Sequence, residues 1–382
     1  MTMRISANNP AVVAVLLACL VACFQQQAQA EVPDIESAFV SGEDAQPDGP
    51  VHDYRISAFE ITNAQFITFL NDALANLGNE RGAYMYFDTD SGDVYINAAA
   101  TGTIGTAGSG TLMFDASVNG WIVYDPEADP TPGYVPADAA YADHPVTGVT
   151  WYGAVKLCNW LTIATGLPAG ERCYFEAPNT NLNGWRPVTS VDDATWASRD
   201  LNAAEREALL DRLGYRLPMD EGAGTASPYN EWYKAAAWDG TGHTVYGFGR
   251  DTIAEADANY DNSGDPFESG ATPVGFYDGT LYNPGGGGPV GDGREFATNA
   301  DENAYGLFDM SGNVWEWMQD QGSDVGNRRN RGGSWRSSAT SLAAAIGAVR
   351  SADSASDSTG IRIVQSVPEA LVITPIEDYV NS

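Results

Sequence analysis

Cysteine, histidine and basic residues are the scarce types in this 382-residue chain. The four cysteines are Cys19, Cys23, Cys158 and Cys173, so the C-terminal half has no thiolate for a metal centre or a nucleophile. The three histidines, His52, His144 and His243, lie far apart. They lack the His-x-x-x-His spacing that sets two imidazoles on one helix face, and each reads as a structural or surface histidine. Nineteen basic residues against 51 acidic ones give a formal net charge of -32. Phosphate is repelled by such a chain, and no nucleic-acid partner is expected. Beyond the N-terminus no segment has the roughly 20 apolar residues that cross a bilayer, so no membrane span is expected. Serines are plentiful, but none is marked as activated by a base.

What is present is sufficient for a packed core: 43% hydrophobic and 11% aromatic residues. The acidic surplus is spread along the chain without a long block. It suits a soluble extracytoplasmic protein or a carrier of hard cations such as calcium, with simple solubility the plainer account. Forty-one glycines and 20 prolines supply turn chemistry between the periodic segments.

At the N-terminus, Arg4 precedes an apolar stretch from Pro10 to Phe24, and Ala28-Gln-Ala30 follows. This order reads as a secretory signal over residues 1–30, cleaved after Ala30, giving a secreted or periplasmic protein. A rival reading takes Leu20-Val-Ala-Cys23 as similar to the lipobox of bacterial lipoproteins, with Cys23 acylated and anchoring the protein to a membrane. Cleavage after Ala30 leaves Cys158 and Cys173 as the remaining thiols in an oxidising compartment. One disulfide between them and two unrelated buried thiols are both open.

Helical periodicity is confined to few places. Thr62 or Asn63 caps a helix with Phe66, Phe69 and Leu70 on one face. Trp151, Val155, Cys158 and Leu161 give a second helix the same spacing, and a third begins near Asn230 with Trp232 and Ala236 inward. Segment 84–124 alternates as Tyr84-Met-Tyr-Phe87 and Gly120-Trp-Ile-Val-Tyr124 and reads as a β-hairpin excursion. Residues 31–52 then form an N-terminal linker, 53–366 one irregular, loop-rich α+β domain with small antiparallel sheets, and 367–382 an acidic C-terminal tail.

Seven landmarks occur in order: Phe59-Glu-Ile-Thr-Asn63, His144-Pro-Val-Thr-Gly-Val-Thr-Trp151, Tyr215-Arg-Leu-Pro218, Asn230-Glu-Trp232, Asn303-Ala-Tyr-Gly-Leu-Phe-Asp-Met-Ser-Gly-Asn-Val-Trp-Glu-Trp317, Arg331-Gly-Gly-Ser-Trp335 and Gly360-Ile-Arg362. The set resembles the formylglycine-generating enzyme, or sulfatase-modifying factor, family over most of residues 53–366. The resemblance implies a variant of the C-type lectin-like fold. The insertion Glu221-Gly-Ala-Gly-Thr-Ala-Ser-Pro-Tyr229 departs from the family pattern as a loop variation.

In the enzyme that names this family, two cysteine thiolates hold copper(I) and oxygen oxidises a cysteine of the substrate sulfatase. Counting from Ser334 to Arg350 sets those cysteine positions at Leu342 and Gly347, and soft thiolates are what copper(I) requires. No copper is therefore expected, nor oxidation by the family mechanism. The resemblance also implies calcium, which favours six to eight oxygen ligands. Asp309, Gly312, Val314 and Glu316 match one family site, with side-chain oxygens from the acids and carbonyls from the other two. Asn259, the carbonyl of Tyr260, Asp265 and the carbonyl of Phe267 match a second. The plainer reading has Asp309 capping a turn and Glu316 in an ion pair.

Trp315 and Trp317 read as interior fillers, whereas Trp335 and Arg336 open a variable stretch. With Leu342, Gly347 and Arg350 they define an expected ligand pocket for a peptide, glycan or protein partner, Arg350 and Arg362 having core ion pairing as the competing role. Two functions follow: a non-catalytic binding module with structural calcium, or a divergent enzyme with unrecognised chemistry in the same pocket. The small residues Ala343, Ala344, Ala345 and Gly347 favour the first.

Overall fold

The computed structural model describes residues 32–43, 49–88, 93–96, 111–115, 120–124, 141–177, 182–222, 227–267, 270–282, 295–322, 324 and 326–367. The expected signal segment, its processing sites at Ala30 and Cys23, and residues 368–382 of the acidic tail lie outside them.

The stretch read as a linker contributes a strand, β1 (Ser37–Val40), which pairs antiparallel with β2 (Tyr54–Ser57). Thr62 then caps α1 (Asn63–Ala75): its hydroxyl accepts from Gln65 N, and the Gln65 side chain accepts from Thr62 N. This reciprocal box satisfies two donors that a helix start would otherwise leave open. Phe66, Phe69 and Leu70 are buried, as their spacing predicts. The strands of segment 84–124 form two hairpins, β3 (Met85–Asp88) with β4 (Asp93–Ile96) and β5 (Thr111–Asp115) with β6 (Gly120–Tyr124).

Thr150 caps α2 (Trp151–Ala164), which is buried nearly all round rather than on one face. Its single cation, Lys156, is tolerated there because Glu176, equally buried, sits 2.6 Å away. Beyond it come β7 (Tyr174–Phe175) and β8 (Arg186–Pro187), a short hairpin. Two helices without an obvious apolar stripe follow, α3 (Asp193–Trp196) and α4 (Ala203–Leu210), started by the caps Asp192 and Asn202. Next are β9 (Tyr215–Arg216) and α5 (Glu231–Ala237), the latter capped by Asn230 with Trp232 and Ala236 buried as expected.

The remaining strands are β10 (Leu281–Tyr282), β11 (Phe296–Ala297), β12 (Trp315–Gln321), β13 (Asn327–Arg331), β14 (Gly347–Ser351), β15 (Thr359–Gly360) and β16 (Val364–Ser366). One four-stranded sheet has the order β1-β2-β16-β9 and the other β14-β13-β12-β15, in which β15 alone runs parallel to its neighbour. The main core joins α1 and α2, where Phe69 meets Trp160 at 5.5 Å, to the second sheet. Trp151 Nε1 donates to Met318 O (3.0 Å) and Trp317 Nε1 to Val149 O (2.8 Å), so two indoles fix α2 against β12.

Of the two readings left open for Cys158 and Cys173, the structure has free thiols rather than a disulfide, both buried. Cys173 Sγ donates to Gly214 O at 3.5 Å, and burial pushes its thiol up to about 12. Among the described residues, no helix is long and apolar enough to cross a membrane.

Phe69 is fully buried between the two helices. Phe69→Ala is expected to lower unfolding free energy by about 3–5 kcal/mol in chemical denaturation. Val191→Ala, at a position 68% exposed, should stay within about 0.5 kcal/mol of the parent.

Candidate functional site

The Asn303 to Trp317 run is a sequence of tight turns that delivers its last residues into β12. Asp309 (φ 58°), Gly312 (φ 102°) and Asn313 (φ 57°) all take left-handed backbone, which short polar residues and glycine tolerate best. At Gly312 only glycine fits, because a Cβ would stand 2.4 Å from Asn259 O. The run also ties distant loops together: Asn313 N donates to Asn259 O (2.9 Å), Gly312 N to Gly332 O (2.9 Å) and Trp335 N to Asn313 O (2.9 Å).

Glu316, fully buried, receives Arg362 Nε on Oε1 at 2.8 Å and Trp232 Nε1 on Oε2 at 2.5 Å. Arg362 spends its other donors on Ser57 O (2.7 Å) and Phe308 O (2.8 Å). Arg362 is thus a core ion-pair partner, and Trp315 and Trp317 fill the interior. Two further motifs meet in the same way: Arg216 Nη2 lies 2.6 Å from Glu231 Oε1, which His52 Nε2 also reaches at 2.7 Å. Burial would raise the Glu231 carboxyl, but the Arg216 guanidinium holds it well below the usual carboxylate range. The other histidines are structural as well. His144 is buried beside Tyr141 and Phe267, and burial pushes its pKa down to about 4. His243 stacks on Tyr233.

Asp309 lies in a cluster that sequence reasoning missed, with Glu60 and Asp301. Asp301 Oδ2 accepts from Asp309 N (2.9 Å), Gly275 N donates to Asp309 Oδ2 (2.6 Å), and Asn313 Nδ2 donates to Glu60 Oε2 (3.3 Å). Glu60 Oε1 and Asp301 Oδ1 are buried without a hydrogen-bond partner. Burial raises Glu60 and Asp301 well above the carboxylate range, with the Asp309 charge adding to each, and burial pushes Asp309 up to about 6. The signal was available in part, since Glu60 belongs to the first landmark; Asp301 stands just ahead of the long run.

In the first expected calcium set the Glu316 carboxylate is shared with the protein's own donors. Glu316 Oε1 accepts from Arg362 and Oε2 from Trp232, while Glu60 Oε1 and Asp301 Oδ1 near Asp309 have no protein donor. Among the described residues no group of three or more acidic, histidine or cysteine side chains is placed to hold a metal. The second set combines the Asp265 carboxylate and the Asn259 amide with two backbone carbonyls. Asn259 and Asp265 are buried in one closed loop, in which Asn259 Nδ2 donates to Gly270 O (3.0 Å) and Gly270 N to Phe267 O (2.8 Å). Asp265 Oδ1 accepts from Phe267 N (2.7 Å), Oδ2 accepts from Ser263 Oγ (2.5 Å), and Tyr260 O accepts from Ser263 N (2.9 Å). Tyr277 Oη also donates to Asp265 Oδ2 (3.4 Å), and the Tyr260 and Phe267 carbonyls each keep a second lone pair for a ligand.

The five residues expected to line a ligand pocket point to different places. Trp335 packs with Ala271 and Val314, and Arg336 covers its ring at 4.3 Å. Leu342 is fully buried against Tyr246, Phe248 and Ala258. The outward part is Arg336, paired with Asp357, and the strand β14, which Gly347 opens and which carries half-buried Arg350. Among the described residues β14 is the terminal strand of its sheet, paired with β13 on one side, and Val349 on it (42%) and Ile346 just before it (44%) are exposed.

Residues 24–367 match the model of the sulfatase-modifying factor enzyme 1-like domain, and the chain belongs to this family. The mixed α+β architecture of few helices and small sheets is that of its C-type lectin-like fold. Among solved structures, the chain is similar to CarF, with 22% identity over 88% of this chain and 100% of that one at a TM-score of 0.47. Treponema denticola variable protein 1 shares 18% over 87% and 95% of the two chains, TM-score 0.46. PvdO from Pseudomonas aeruginosa shares 15% over 87% and 92%, TM-score 0.39. No curated protein sequence matches the chain.

The raised Asp309 carboxyl makes stability depend on pH with a definite sign. A carboxyl whose folded pKa lies above its unfolded value of 3.8 stabilises fully below that value, and the contribution is lost as pH rises through about 6. Asp309→Asn, which keeps the hydrogen-bonding shape without the charge, should therefore flatten the decline in melting midpoint between about pH 4 and about pH 7. An unchanged difference between parent and variant across that range would remove the assignment.

Proposed function

We propose that the chain is an exported, non-catalytic binding protein that presents a peptide or protein ligand with the surface around β14. The observation that carries this reading is the use made of the two positions where the family's copper chemistry needs thiolates. Leu342 packs into the interior and Gly347 begins a strand, so neither can ligate copper(I). The surface beside them is chemically quiet and suited to contact. A strand paired on one side presents backbone donors and acceptors, and Ile346 and Val349 add exposed apolar area. Arg336 supplies an exposed charge at its margin. Export is supported by the N-terminal apolar stretch and the Ala28-Gln-Ala30 site, and the acidic surplus suits such a protein.

Incubation of the purified protein with a Cys-x-Pro-x-Arg peptide, copper and oxygen is expected to leave the peptide mass unchanged; an aldehyde product would overturn the non-catalytic reading. On a peptide and glycan array, the protein should retain peptide ligands that the double variant Ile346→Asp, Val349→Asp loses. No ligand, or ligands held equally by the variant, would count against the β14 surface.

In this reading one structural calcium is held by Asn259, Asp265 and the carbonyls of Tyr260 and Phe267. A hard cation bound to the folded state alone adds about 2.7 kcal/mol when free calcium is a hundredfold above Kd. The melting midpoint should fall in chelator for the parent and stay level for Asp265→Ala. A parent midpoint indifferent to chelator would exclude the ion.

A further inference from the structure

Away from the landmark loops, a cleft of about 710 Å³ opens between the turn joining α1 to β3 and the segment that carries β7. Its size lies within the range of small-molecule sites. Arg212 lines it, donating to the carbonyls of Gly170 and Arg172, and no carboxylate among the described residues lies within ion-pair distance of its guanidinium. Its charge is left unanswered although the chain carries 51 acidic residues against 19 basic ones. Arg172 stands beside it but is held between Glu80 at 3.8 Å and Glu176 at 4.0 Å. The uncompensated positive charge is therefore concentrated on Arg212, and the two glutamates disfavour a second negative charge nearby.

The apolar part of the wall comes from Tyr84 and Phe175, each 44% exposed. Phe175 is fixed by Arg186, whose guanidinium stacks 4.3 Å over the ring. Tyr84 is held edge-on to Trp185 at 6.4 Å, from a backbone at φ 62° that a bulky side chain rarely adopts. A strained backbone that keeps an aromatic ring at the mouth of a cleft is a pattern found where ligands are gripped.

We propose that this cleft binds a small monocarboxylate with a planar or apolar body. The carboxylate pairs with Arg212, whose fork of donors matches it, and the body rests on Tyr84 and Phe175. The site is separate from the β14 surface and stands or falls independently of the function proposed for it.

N-acetyl-L-phenylalanine and its uncharged amide are suitable probes, titrated into the full chain by calorimetry. The acid should bind about tenfold or more tightly than the amide, and Arg212→Gln should remove that preference. Tyr84→Gly accepts the positive φ without strain, so it should weaken the acid at least about threefold with no fall in melting midpoint. Absence of binding, equal binding of acid and amide, or an unchanged preference in folded Arg212→Gln would overturn the proposal; so would full affinity in Tyr84→Gly.

Discussion

A fully buried carboxylate is stable only where its charge is answered, and Glu316 meets that condition through Arg362 and Trp232. The same guanidinium holds the end of β2 through Ser57 O and the landmark run through Phe308 O. One ion pair thus joins β12, α5, the first sheet and the segment between β15 and β16. With so little regular secondary structure, these contacts do the work that long helix interfaces do elsewhere. Losing one partner would leave the other charge buried and bare, at a cost of about 3–5 kcal/mol.

The pattern recurs. Arg216 is matched by Glu231, Arg331 by Asp220 and Arg206 by Asp320, each pair almost wholly buried. Arg328 instead lies against the rings of both Trp151 and Trp196, at 4.4 and 4.9 Å. A large share of the few cations is therefore committed inside the molecule, which leaves much of the acidic surplus to the surface. The Arg212 cleft contrasts with this arrangement, because its guanidinium faces backbone carbonyls instead of a carboxylate.

Much of the framework was legible in the residues. Thr62, Thr150 and Asn230 are caps with local chemistry, and the apolar spacing behind each predicts the buried faces. The helices after Asp192 and Asn202 are harder to see, because α4 has three charged residues among eight and α3 is a single turn. At the site, Glu316 was identified as an oxygen donor, but its partner lies 46 residues away and is chosen by folding. Glu60 and Asp301 gather around Asp309 for the same reason. Pocket residues read from adjacency in sequence, such as Trp335 and Leu342, separated because successive turns send them to different clusters.

The first sheet seats β16 beside β2, and Ile363 N donates to Ser57 Oγ across a separation of 306 residues. A growing chain cannot close that sheet until residues 364–366 have been made, and so long a loop must lose its entropy before the pairing returns any stability. Late closure leaves the two edges of this sheet apart until the C-terminal landmark has emerged.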